Sequence, residues 1–193
     1  MNFDFEKLFK ASWEQFLKFI VKLILFVLVG VLLSLTIILI PTVAGGFTRA
    51  SLALIREGKE PDFAELWNFD NYLQILLLMI IAGIAVAVGF MLLIVPGVIL
   101  ATWWMYSLYF IVDRNMSFTE AMSASKAAVS ASGFFNNLAV LLIVSILNSI
   151  GSSLAGLGSL VTLPFGLLLM TNAYLEISGA AAPAAASQAP AKS

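Results

Sequence analysis

Three polar side chains interrupt stretches of this chain that are otherwise apolar: Arg49, seven residues before Arg56, and the amides Asn148 and Asn172. A cation or an amide at membrane depth is costly and faces an ion partner, a neighbouring helix or a water path. Arg49 has two readings. By helical rise it lies about 10 Å from the Arg56 end, within reach of a snorkelling side chain, or it lines a polar pocket. Asn148 and Asn172 are either hydrogen-bonding glue between helices or part of a cavity wall. Together the three form a candidate intramembrane polar site whose chemistry would be passage of a small solute.

Other chemistry is poorly supplied. The sequence has no His and no Cys, which removes the commonest general base, the commonest metal ligand and every thiolate. A serine nucleophile would have no His partner, and no Asp or Glu falls in the middle of an apolar stretch, as an ion-coupled carrier would need. The expectation is a protein that is not an enzyme, with no metal and no cofactor. Ten basic against eleven acidic residues give a net charge of −1, so no basic field exists for nucleic acid.

The elements that must position these residues follow from composition. With 61% hydrophobic and 11% charged residues in 193, and a mean hydropathy of +1.02, too little polar surface exists to wrap a globule, and the chain reads as a membrane protein. The charges fall in a few windows. Spans at about 19–40, 41–57, 73–95, 96–112, 137–157 and 159–177 put every window on one side. The positive-inside rule makes that side the cytoplasm, with both termini there, in the cell membrane. The fold expected is all-α: a polytopic bundle of six transmembrane helices in three hairpins, with amphipathic inner-face helices. The run from Leu73 to Val112 cannot be one span, since its helical length of roughly 60 Å is twice the hydrocarbon thickness.

Pro41, Pro96 with Gly97, and Pro164 would each mark an outer turn, near the first turn of a returning helix, where a missing N–H costs nothing. The first apolar run, Phe19 to Ile40, lacks a convincing cleavage site after it and is read as a retained span. Ser145, Ser149 and Ser153, like Gly83 with Ala87 and Ala85 with Gly89, are small residues at helical spacing that permit close packing.

On the inner side, Phe5, Phe9, Trp13 and Phe16 recur at helical spacing, predicting an amphipathic helix in the interface. REGKEPDFAELWNFDNY is a compact inner loop with Trp67 and Tyr72 suited to the headgroup level. In VDRNMSFTEAMSASKAAVSASG, Ser117 and Glu120 form a capping box and Gly133 ends the helix, which is predicted over about 118–132. Phe118, Met122 and Val129 mark its apolar stripe. It would serve as a structural elbow or as a docking surface for a protein partner at the cytoplasmic face. The Ala/Pro-rich stretch 179–193 has nothing to build a core with and is expected to be a disordered tail.

IPTVAGG closing a hairpin, REGKEPDFAELW, IVPG, and VDRNMSFTEAMSASKAAVSASG before a further pair of spans resemble prokaryotic six-helix membrane proteins of poorly known function. These include the membrane domain fused to some glycerophosphodiester phosphodiesterases. The likeness covers residues 1 to about 178 and rests on Pro96-Gly97, Asp113, Glu120-Ala121, Ser125 and Gly133. It implies an envelope or lipid-related membrane protein, and it transfers no catalytic residue, because the fused soluble domain would not fit in this length. Two functions stay open: a non-catalytic scaffold or membrane subunit that meets membrane lipids and a protein partner, and a small permease component with a path near Arg49, Asn148 and Asn172.

Overall fold

The computed structural model describes residues 5–34, 39–153 and 158–179, and all regular structure among them is helical. The order is α1 (Phe5–Ser34), α2 (Ile40–Glu57), a 3-10 turn (Phe63–Trp67), α3 (Tyr72–Leu92), α4 (Ile94–Trp104), α5 (Ser107–Arg114), α6 (Phe118–Ser132), α7 (Phe134–Ser153) and α8 (Ser159–Ile177). Among the described residues, four stretches are long and apolar enough to cross a membrane: Tyr72–Leu92, Ile94–Arg114, Phe134–Ser153 and Ser159–Ile177. The other two expected spans are of a different kind. α1 carries charges through its first half, and α2 contains Arg49, Arg56 and Glu57 in 18 residues. The expected tail, apart from Gly179, and part of the turn after α7 lie outside the described residues.

The α3–α4 hairpin forms because the chain turns extended at Leu93 (φ −164°, ψ 150°), whose N–H bonds Gly89 O at 3.1 Å. Pro96 follows as the third residue of α4, where its missing N–H has no intrahelical acceptor to leave bare. The two helices approach so closely that a Cβ on Gly89 would sit 3.0 Å from Gly97 Cα. From Ile75 to Ala101 there is no polar side chain. The tip residues Met91, Leu92, Leu93, Ile94 and Val95 are 90, 72, 69, 72 and 65% exposed.

The returning arm expected over 96–112 is not one continuous helix. It breaks between α4 and α5 at Met105–Tyr106, and α6 repairs the break: Ser125 Oγ donates to Trp103 O (2.7 Å) and accepts from the Tyr106 N–H (3.2 Å). α6 itself starts on a complete capping box between Ser117 and Glu120, and it ends at Gly133, whose φ of 99° disfavours any side chain. The Phe118 N–H bonds Gln74 Oε1 of α3 at 2.9 Å. The buried face of α6 is Ala121, Ser125, Val129 and Ser132, while Phe118 and Met122 of the expected stripe are only half-buried. Small residues win that face because α6 packs tightly on α3, α4, α5 and α7.

α1 wraps α8. It bends at Phe19 (φ −120°, ψ 20°) and buries Leu8, Ser12, Phe16, Leu23, Phe26 and Val27. The expected stripe is therefore shifted by one position: Phe9 and Trp13 are 49 and 46% exposed, although their rings meet Phe165 edge-on at 5.4 and 5.7 Å. Ser12 bonds Asn172, and Val27 shares a cavity wall with Leu163 and Gly166. Positions 9–16 of α1 thus meet Phe165 and Asn172 of α8. Pro164 is not in a turn. It is buried inside α8, the sixth residue of that helix, where it leaves the Leu160 carbonyl without its i+4 donor.

Candidate functional site

Arg49 projects from the middle of α2 onto the 3-10 turn. Its Nε donates to Glu65 Oε2 (2.9 Å), Nη2 to Asn68 O (2.9 Å) and Nη1 to Asp70 O (3.4 Å), with the side chain 15% exposed. The loop comes this near because α2 presents Gly46 one turn earlier, where a Cβ would lie 2.5 Å from Glu65 O. Arg49 neither snorkels nor faces an empty pocket. It clamps a loop, and the charge is matched by Glu65 and two carbonyls, as a buried guanidinium requires.

Asn172 ties α8 to α1: its Nδ2 donates to Ser12 Oγ (3.0 Å), Gln15 Oε1 (3.4 Å) and Leu168 O (3.0 Å). Asn148 is different. Its Oδ1 is buried without a hydrogen-bond partner, and it lines a cavity of about 230 Å³ among α1, α2, α5, α7 and α8. The three candidate residues therefore have separate surroundings, and the geometry does not assemble them into one path. Of the expected turn residues, Pro41 is buried in the first turn of α2, and Pro96 and Gly97 open α4.

A second polar cluster lies elsewhere, between helices rather than between a helix and a loop. Asp113, at the end of α5, receives both Nη1 and Nη2 of Arg56 from α2, the latter at 2.8 Å, and the Tyr174 hydroxyl from α8 at 2.7 Å. Side-chain exposures are 27% for Arg56 and 9% for Asp113. Behind the pair, Tyr109 stacks on Tyr174 with centroids 5.1 Å apart. The Tyr109 hydroxyl lies 3.2 Å from Thr171 Oγ1, which is 2.9 Å from Ser51 Oγ, which donates to Thr48 O at 2.9 Å. One polar seam thus joins α2, α5 and α8. Nothing in the spacing of Arg56, Asp113 and Tyr174 marks them as partners, since they are 57 and 61 positions apart; the available signal was an arginine and an aspartate each closing an apolar run.

The chemistry of this seam is that of a fastener. A bidentate Arg–carboxylate pair with a third donor is geometrically specific and gives both oxygens of Asp113 a donor. Among the described residues no group of three His, Cys, Asp or Glu could hold a metal ion. Compared with models of known protein families, with curated proteins and with solved structures, the chain matches none.

Proposed function

We propose that this chain is a non-catalytic integral membrane protein, a scaffold or membrane subunit in an envelope or lipid-related process. Its six membrane-embedded helices form three hairpins, α1 beyond Phe19 and α2 joining the four long apolar stretches. Both termini face the cytoplasm with the Lys and Arg windows. The observation that carries the reading is the pairing of polar groups inside the bundle. Arg49 is matched by Glu65, Asn68 and Asp70, Arg56 by Asp113, and Asn172 by Ser12 and Gln15. A conducting path needs polar groups turned towards an opening, whereas these hold helices and loops to one another. The likeness to six-helix prokaryotic membrane proteins agrees in kind. The exposed row Thr119, Ser123, Lys126 and Ser130 of α6 is the surface offered to a protein partner at the cytoplasmic face.

The test is extraction in native lipid particles, followed by mass spectrometry of what co-purifies at constant ratio. A stoichiometric protein partner lost on charge reversal along that α6 row supports the subunit reading. Asn148 favours the second reading, a small permease, because it lines a cavity and its buried oxygen pairs with no other helix. Since the chain has no native Cys, single Cys substitutions at 49, 148 and 172 can be probed with a charged thiol reagent without background. Labelling at all three positions favours the permease; protection at 49 and 172 favours the scaffold.

A further inference from the structure

We infer that residues 5–18 of α1 pair side by side and antiparallel with the same residues of a second copy of this chain, along a face that its own bundle leaves open. Ahead of the bend at Phe19, this segment buries Leu8, Ser12 and Phe16 and exposes two neighbouring rows. One row is apolar: Phe9, Trp13 and Leu17. The other alternates in sign at four-residue spacing: Glu6, Lys10, Glu14 and Lys18. Such a row can be answered within its own helix, yet the ion pairs among the described residues use Lys22, Arg49, Arg56 and Lys59 as their cations and none of these four side chains. Lys18 lies over the Phe19 ring, 5.1 Å from its centroid.

The charged row is complementary to its own reverse. Turned about a two-fold axis at the level of residue 12, Glu6 falls opposite Lys18 and Lys10 opposite Glu14, so every charge of both copies meets an opposite one. A parallel pair would set each charge against its like. The same axis also fits the apolar row. Phe9, Trp13 and Leu17 of the second copy stand level with positions 15, 11 and 7 of the first, so the two rows alternate at steps of two residues, about 3 Å, and interdigitate. A groove of about 500 Å³ between Phe9 and Trp13 of this helix and Val140, Ile143 and Leu169 lies at the levels that Trp13 and Leu17 of the second copy reach. The inference rests on the membrane reading proposed above, in which residues 5–18 lie along the inner surface. Two copies inserted the same way are then related by an axis along the membrane normal, and that axis makes two in-plane helices antiparallel while keeping charges towards water and rings towards lipid on both.

The chain has no native Cys, so Glu6→Cys and Lys18→Cys are made in two differently tagged full-length chains, co-expressed, and oxidised in the intact membrane. The disulfide joining position 6 to position 18 is expected to dominate. Disulfides joining 6 to 6 or 18 to 18 should be scarce, because those positions lie about 18 Å apart along the paired helices. Adding Lys10→Glu to both chains sets like charges against each other and should lower the mixed product about fivefold or more. Using Glu14→Lys instead of Lys10→Glu in the Lys18→Cys chain should restore it, and restoration between chains is not something the four-residue pairs of one helix can produce. Like-with-like disulfides equal to or above the mixed one, no disulfide at all, or no restoration overturns the pairing and leaves lipid as the cover of this face. Alkaline carbonate washing separates that outcome from failure of the membrane reading: a chain that stays in the membrane keeps the reading, and a chain released from it overturns both.

Discussion

Asp113 is the residue whose loss the bundle should feel most. Removing its carboxylate by Asp113→Ala leaves the Arg56 guanidinium, 27% exposed, without either oxygen, and leaves the Tyr174 hydroxyl without its 2.7 Å acceptor. Breaking one side of a buried pair costs about 3–5 kcal/mol, and partial access of water to Arg56 places this case near the lower end, about 3 kcal/mol. On the scale of soluble proteins of this length that lowers the unfolding midpoint by roughly 6–12 °C. Tyr174→Phe keeps the ring on Tyr109 and removes one hydrogen bond to a charged group, so about 1.5–3 kcal/mol is expected. The assay is thermal unfolding in a mild detergent, followed by tryptophan fluorescence, on the single variants and on Arg56→Met with Asp113→Leu together. The double variant should recover most of the loss, because an apolar pair of similar size leaves no charge unpaired. Midpoints that fall by less than about 2 °C in Asp113→Ala, or losses that simply add in the double variant, would show that the two side chains do not depend on each other.

Gly46→Val drives a side chain into the backbone at Glu65 and should free the 58–71 loop, at about 1–3 kcal/mol of overpacking, seen as faster proteolysis between Gly58 and Asn71; Arg49→Met should free the same loop by removing its three donors. Ser125→Ala withdraws both hydrogen bonds that bridge Trp103 and Tyr106 and is expected to cost about 1–3 kcal/mol, with amide exchange rising first around Met105. Ser117→Ala removes the α6 cap at a cost of about 1 kcal/mol. The pH dependence of that cap has a defined sign: hydrogen bonds from Ser117 hold the Glu120 carboxyl below its ordinary value of 4.5, so its contribution is present above pH 4.5 and is lost as the pH falls through the lower folded value. Exchange of α6 amides should therefore accelerate on acidification in the parent chain and show a weaker acid dependence in Ser117→Ala.

What could be read from the chain was whatever is local. The capping box at Ser117 and Glu120 and the stop at Gly133 bracket α6 to the residue, because caps are set by side chains a few positions apart. Pro96-Gly97 located a turn within three residues of Leu93, since an all-apolar run twice a bilayer's thickness has to fold. The kink at Phe19 falls where charged amphipathic sequence gives way to a mainly apolar run whose last charge is Lys22. The non-local features were hidden. The break at Tyr106 has no Pro or Gly to announce it, and it persists because a serine from another helix supplies its hydrogen bonds. Pro164 reads as punctuation but sits inside α8. Arg49 was conspicuous, yet its partner Glu65 lies 16 positions on, beyond a loop whose return could be inferred only from the glycine opposite it.

The tip of the α3–α4 hairpin has a consequence of its own. Five successive exposed apolar residues close the hairpin, running over the end of α3, the extended Leu93 and the start of α4, and none of them has a polar side chain to meet water. α3, at 21 residues, is about 31 Å long, close to the thickness of a hydrocarbon layer. Each ångström by which a host bilayer is thinner must be met by tilting the hairpin or by stretching lipids around it, at fractions of a kcal/mol per ångström. In the membrane reading proposed above, the hairpin would work as a depth gauge, and the chain should partition towards domains whose thickness matches it.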